Sequence, residues 1–90
     1  MINYTEHALY QMKVRSVSKE MVEYTLNGPD KIYEDLQYNN FVCIKYVHNA
    51  TLLVFFSKIG MDIMVISTFY TTKADKVIEG KVRRGLWKKV

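Results

Sequence analysis

Ninety residues that are 49% hydrophobic make one domain with a modest core, and exclude both disorder and a second core. The single Cys43 excludes an internal disulfide framework and any cysteine-rich zinc site. No apolar run reaches transmembrane length. The net charge of +4 is unevenly placed: residues 73–90 carry seven basic and two acidic side chains, whereas residues 1–72 carry six and seven. A basic tail on a near-neutral body fits an acidic partner such as nucleic acid, or serves simply to keep the chain soluble. Met1-Ile2-Asn3-Tyr4-Thr5-Glu6 has no signal-peptide layout, so a cytoplasmic location is expected.

Taken in chain order, Thr5 is placed to cap a first helix, with Glu6 at its positive end. Ala8, Leu9 and Met12 share one face at helical spacing, and His7, Gln11 and Arg15 drift along its edge at i, i+4, i+8. Ser16-Val17-Ser18 breaks that helix, and Ser18 caps a second. There Met21, Val22, Thr25 and Leu26 form the apolar stripe, and Gly28-Pro29 makes the stop. The link of about three residues predicts a compact helix hairpin.

After Pro29 the period changes from 3.6 to 2. Lys31–Leu36 reads as a charged edge strand, Phe41–Val47 as a second strand, Thr51–Ile59 as a third and Ile63–Thr71 as a fourth. The turns between them are of hairpin length, which predicts an antiparallel meander with the third and fourth strands central. Lys73–Glu79 is expected to form a short helix. Gly80 and Gly85 then leave the rest as a flexible basic arm. The expected fold is α+β, in the order α-α-β-β-β-β with a basic C-terminal tail. The domain would span residues 1–72 and the tail 73–90. Two helices cover only one face of such a sheet, which leaves the other open, concave or used for association.

The pattern Thr5, His7, Ala8, Met12, Arg15, Val17, Ser18, Val22, Leu26, Pro29 resembles the small domain-of-unknown-function family numbered 4258. That family in turn resembles the RelE/ParE-like toxins of toxin–antitoxin modules, several of which are metal-independent ribonucleases. The likeness covers roughly residues 4–71 and is specific only in the first third. Two departures stand out: Gln11 where the family often has Arg, and Ser16 where it often has Gly. The resemblance implies RNA as substrate, an antitoxin protein as partner and no cofactor. No ligand spacing points to a metal.

Under this reading His7 is the general acid or base, and Arg15 with Lys45 binds phosphate. Tyr70 stacks on a base or donates to phosphate, which completes the candidate catalytic set. Lys58, Lys81, Arg83, Arg84, Trp87, Lys88 and Lys89 are candidate nucleic-acid contacts, since Trp87 among cations suits a single strand. Each has a plainer reading. His7 would be a surface imidazole, Arg15 an ion-pair partner of Glu6, Glu20 or Asp30, Lys45 a solvated side chain with a packed stem, and Trp87 an anchor docking the tail on its own domain or a neighbouring subunit. A non-catalytic nucleic-acid-binding or protein-interaction module, or a homodimeric scaffold, is the competing function.

Overall fold

A computed structural model describes residues 1–90. In chain order the elements are β1 (Ile2–Tyr4), α1 (Glu6–Arg15), α2 (Lys19–Asn27), β2 (Lys31–Asp35), β3 (Asn40–Val47), β4 (Ala50–Ile59), β5 (Asp62–Thr71), α3 (Ala74–Arg83) and β6 (Trp87–Lys89). The α+β class is as expected; the sheet is larger. It has six strands in the order β1-β5-β4-β3-β2-β6. The meander β2–β5 is antiparallel throughout, but β1 joins β5 in parallel and β6 pairs antiparallel with β2. Lys31–Asp35 is therefore not an edge strand, because the last residues of the chain lie alongside it.

The helix hairpin forms as its punctuation dictates. Thr5 Oγ1 accepts from the Ala8 amide at 3.0 Å, and Ser18 Oγ accepts from the Met21 amide at 3.1 Å. Ser16 ends α1 in the left-handed region, at φ 56° and ψ 41°. A side chain there costs roughly 1 kcal/mol relative to glycine. Ser16→Gly is accordingly expected to stabilise the chain by about that amount, read as a higher urea midpoint in equilibrium unfolding.

Both faces of the sheet are packed. On one, Ala8 and Met12 of α1 and Val22 of α2 close over Cys43, Leu52, Val54, Phe56 and Val65. On the other, Ala74 and Ile78 of α3 cover Tyr33, Val42, Ile44, Leu53 and Trp87. The basic tail is thus not a flexible arm. Helix α3 runs through Gly80 to Arg83, and Gly85, at φ +72°, turns the chain back into β6. Trp87 is only 3% exposed and supplies the apolar surface that holds this return in place. Its indole N–H donates to Asp35 Oδ2 at 3.3 Å, and Asp35 Oδ1 accepts from the Gln37 and Tyr38 amides.

Two further features position the candidate site. Strand β1 pairs with β5 only over Ile63–Val65, so the rest of that β5 edge has no strand beside it. Side chains of α1 take the place of a strand: Gln11 Oε1 accepts from the Thr68 amide at 3.0 Å, and Arg15 Nη1 donates to the Thr68 carbonyl at 2.9 Å. The second feature is a bulge. Phe55 pairs with Ser67 but Phe56 pairs with Val65, which leaves Ile66 as an extra residue in β5. Before the bulge Ile63 and Val65 face the hairpin; after it Tyr70 does, and Phe69 faces α3.

Candidate nucleic-acid interface

Helix α3 packs on Tyr33, Val42, Ile44 and Leu53, while Phe69 of β5 beside it stays only half-buried. There a groove of about 380 Å3 runs between α3 and β5. Phe55 and Phe69 form its floor and are both half-buried, with ring centroids 6.0 Å apart and planes 14° from parallel. Lys81 of α3 stands on one wall, Ile66 and Ser67 of β5 on the other, and Asp35, Tyr38 and Asn40 close the end. Arg15 reaches around the bare β5 edge, with its guanidinium carbon 6.0 Å from the Phe69 ring centroid. Asn40 is 9% exposed, and its Oδ1 has no hydrogen-bond partner. An apolar π-surface flanked by cations, with an unpaired polar group at its end, suits an unstacked nucleobase next to a phosphate.

The residues singled out from the sequence are not gathered into one cleft. His7 is exposed in the first turn of α1. The i, i+8 spacing to Arg15 turns by about 80° on a helix, so Arg15 meets the sheet edge while His7 points outward. Lys45 is consumed structurally. Its Nζ donates to the Gly28 carbonyl at 2.7 Å, lies 3.6 Å from Asp30 Oδ1, and sits 4.8 Å from the Tyr24 ring centroid. Helix α2 has no basic residue in its last turn, so Lys45 supplies the cation that its negative end favours. Tyr70 packs on the hairpin side of the sheet. Leu52, fully buried, pairs with both Lys45 and Tyr70 and separates them by about 10 Å. The bulge is the reason Tyr70 and the groove lie on opposite faces. Arg15 forms no ion pair with Glu6, Glu20 or Asp30; its partner is the Thr68 carbonyl.

Among the expected nucleic-acid contacts, Lys81 lies in the groove. Arg83 is 3.9 Å from Glu79 on the exposed side of α3, and Arg84 donates to the Gly80 carbonyl at 3.2 Å. Lys58 is on the hairpin face, over the Phe41 ring at 5.3 Å. Lys88 and Lys89 are exposed on β6. Trp87, buried under the aromatic floor with its centroid 6.0 Å from that of Phe55, is an anchor rather than a free stacking surface. Phe55, Phe69, Tyr38 and Asn40 did not stand out in the sequence. The only available signal was the run of aromatics at strand spacing, which a core explains equally well.

Cys43, the one thiol of the chain, is buried. Burial raises the Cys43 thiol from 9.0 to about 11, with Lys58 opposing weakly through its charge. It is therefore a protonated core side chain rather than a reactive thiolate. Between pH 9 and 11 the unfolded thiol ionises while the folded one keeps its proton, so stability falls as pH rises through that window. Unfolding midpoints of the parent are expected to drop more steeply there than those of Cys43→Ala. No cluster of three or more His, Cys, Asp or Glu side chains is placed to hold a metal ion. No helix is long and apolar enough to cross a membrane. Comparison with family models, with curated proteins and with solved structures finds no match.

Proposed function

We propose that this chain is a single-stranded RNA-binding module of RelE/ParE-like build that seats RNA in the groove between α3 and β5. The observation that carries the reading is the parallel Phe55–Phe69 pair, left half-buried beside α3 and set between Lys81 and Arg15. Bases stack on the pair, the two cations hold the backbone, and Lys88 and Lys89 add sequence-independent attraction. Such binding weakens steeply with salt. The direct test is a titration of short single-stranded RNA at two ionic strengths. Affinity that is absent at low salt, or unchanged by the Lys81→Ala substitution, would sink the reading.

A second reading comes from the hairpin resemblance. In it the chain is the metal-independent ribonuclease of a toxin–antitoxin module, and its antitoxin competes with RNA for the same cations. His7 is exposed with no hydrogen bond to occupy it, so its imidazole is available as acid or base. RNA leaving the groove past Arg15 would have to cross the β5 edge to reach it. Purified protein that shortens RNA, and fails to do so as His7→Ala, favours the toxin. Binding without shortening favours the module.

A further inference from the structure

At the other end of α3 lies a pocket with a different character. Tyr46, Thr51, Thr72, Lys73, Ala74, Asp75 and Lys76 line about 320 Å3. The first intrahelical bond of α3 runs from the Val77 amide to the Lys73 carbonyl, so the amides of Ala74, Asp75 and Lys76 have no partner within the helix. The cap residue, Lys73, makes no side-chain capping bond. These free donors and the positive helix end make an anion-favouring corner.

An independent observation points to a ligand there. Thr51 lies on the α3 face of β4, paired with Tyr46 and Thr71, and is only 7% exposed. Its hydroxyl makes no hydrogen bond within the chain, and the residue lines this pocket and the adjoining one at the β3–β4 turn. Lys73 and Lys76 bring two ammonium groups to the rim. The one acid, Asp75, also lines a neighbouring cavity together with Lys31. Lys31 titrates above its ordinary range, chiefly through the adjoining Tyr46 hydroxyl, with the Asp75 charge contributing.

We propose that this pocket binds a phosphate group, through the Ala74–Lys76 amides, the Thr51 hydroxyl and the Lys73 and Lys76 ammonium groups. The site stands apart from the groove: Thr51 and Phe55 are four residues apart on β4, about 13 Å. It does not depend on the RNA reading.

The test is an amide-resolved NMR titration of the full chain with inorganic phosphate, with chloride at matched ionic strength as control. Saturable shifts confined to the first turn of α3 and to Thr51 are expected with phosphate and not with chloride. Thr51→Val keeps the side-chain shape and is expected to weaken phosphate about tenfold, the loss of one hydrogen bond to a charged group. Lys76→Ala should weaken it similarly. Shifts that match those of chloride, or an unchanged affinity in Thr51→Val, overturn the site. Phe69→Ala leaves phosphate binding intact, so failure of the groove reading and failure of this one are separable. Oligonucleotides distinguish the source of the phosphate. A 5′-phosphorylated strand that binds about tenfold tighter than its 5′-hydroxyl form, with Thr51→Val erasing the difference, identifies a terminal monoester. Equal binding of both, weakened alike by Thr51→Val, identifies a backbone diester. No effect of Thr51→Val on either strand, with inorganic phosphate still weakened by it, identifies a small phosphate-bearing molecule as the source.

Discussion

Phe69→Ala is expected to weaken single-stranded RNA binding by roughly ten- to hundredfold, since removing an aromatic platform costs about 1–3 kcal/mol per stacked base. The ring is half-buried, stacks with Phe55 and has the Arg15 guanidinium alongside it. Alanine therefore removes the platform and the cation's neighbour in one step. Phe69→Trp keeps a π-surface and should retain most of the affinity. The adjacent residue gives the decisive comparison. Tyr70 points into the hairpin-side core, so Tyr70→Ala should destabilise the chain yet leave RNA affinity within about twofold once folded protein is compared. Fluorescence anisotropy with a labelled oligonucleotide, beside urea unfolding of each variant, measures both effects. Equal losses of affinity in the two variants would place the contact surface elsewhere.

Trp87→Ala is expected to cost about 3–5 kcal/mol, a large share of what a small domain possesses. The indole packs against Tyr33 and Phe55, with ring centroids 5.7 Å and 6.0 Å away, and its N–H is one of three donors to the buried Asp35 carboxylate. Losing it opens a cavity under the aromatic floor and removes a hydrogen bond from that carboxylate. With a urea slope of about 1 kcal/mol per molar for a chain this short, the midpoint should fall by several molar, and the variant is expected to populate unfolded chain in buffer. Trp87→Phe keeps most of the apolar area and should cost less than half as much. A midpoint unchanged in Trp87→Ala would mean that β6 is not part of the cooperative fold.

The helix hairpin was legible because each boundary has its own chemistry. Thr5 and Ser18 cap the helices as their side chains allow, and the strands β2–β5 follow from alternating β-branched and aromatic residues. Strands β1 and β6 were not legible. Ile2-Asn3-Tyr4 and Trp87-Lys88-Lys89 are too short to show a period, and their pairing is decided by neighbours far along the chain. The reach of α3 was hidden by Gly80, whose propensity cost is outweighed by burial of Ala74 and Ile78. The candidate site was read in part. Arg15 and Lys81 adjoin the groove, whereas the lysine in β3 was mistaken for a ligand-facing charge when it neutralises the end of α2. Spacing on one element cannot reveal such a partner on another.

The extra residue in β5 makes the identity of the groove floor a question of counting. Side chains in a strand alternate with a period of two, so deleting Ile66 would keep Val65 opposite Phe56 and Ser67 opposite Phe55, whereas pairing Ile66 in a regular ladder would invert every position from Ser67 to Thr71. Tyr70 and Thr68 would then look toward α3, and Phe69 would be driven into the hairpin core. The bulge thus governs which of two interleaved sets of side chains lines the groove. This same sequence paired without the bulge would turn an unrelated surface toward α3.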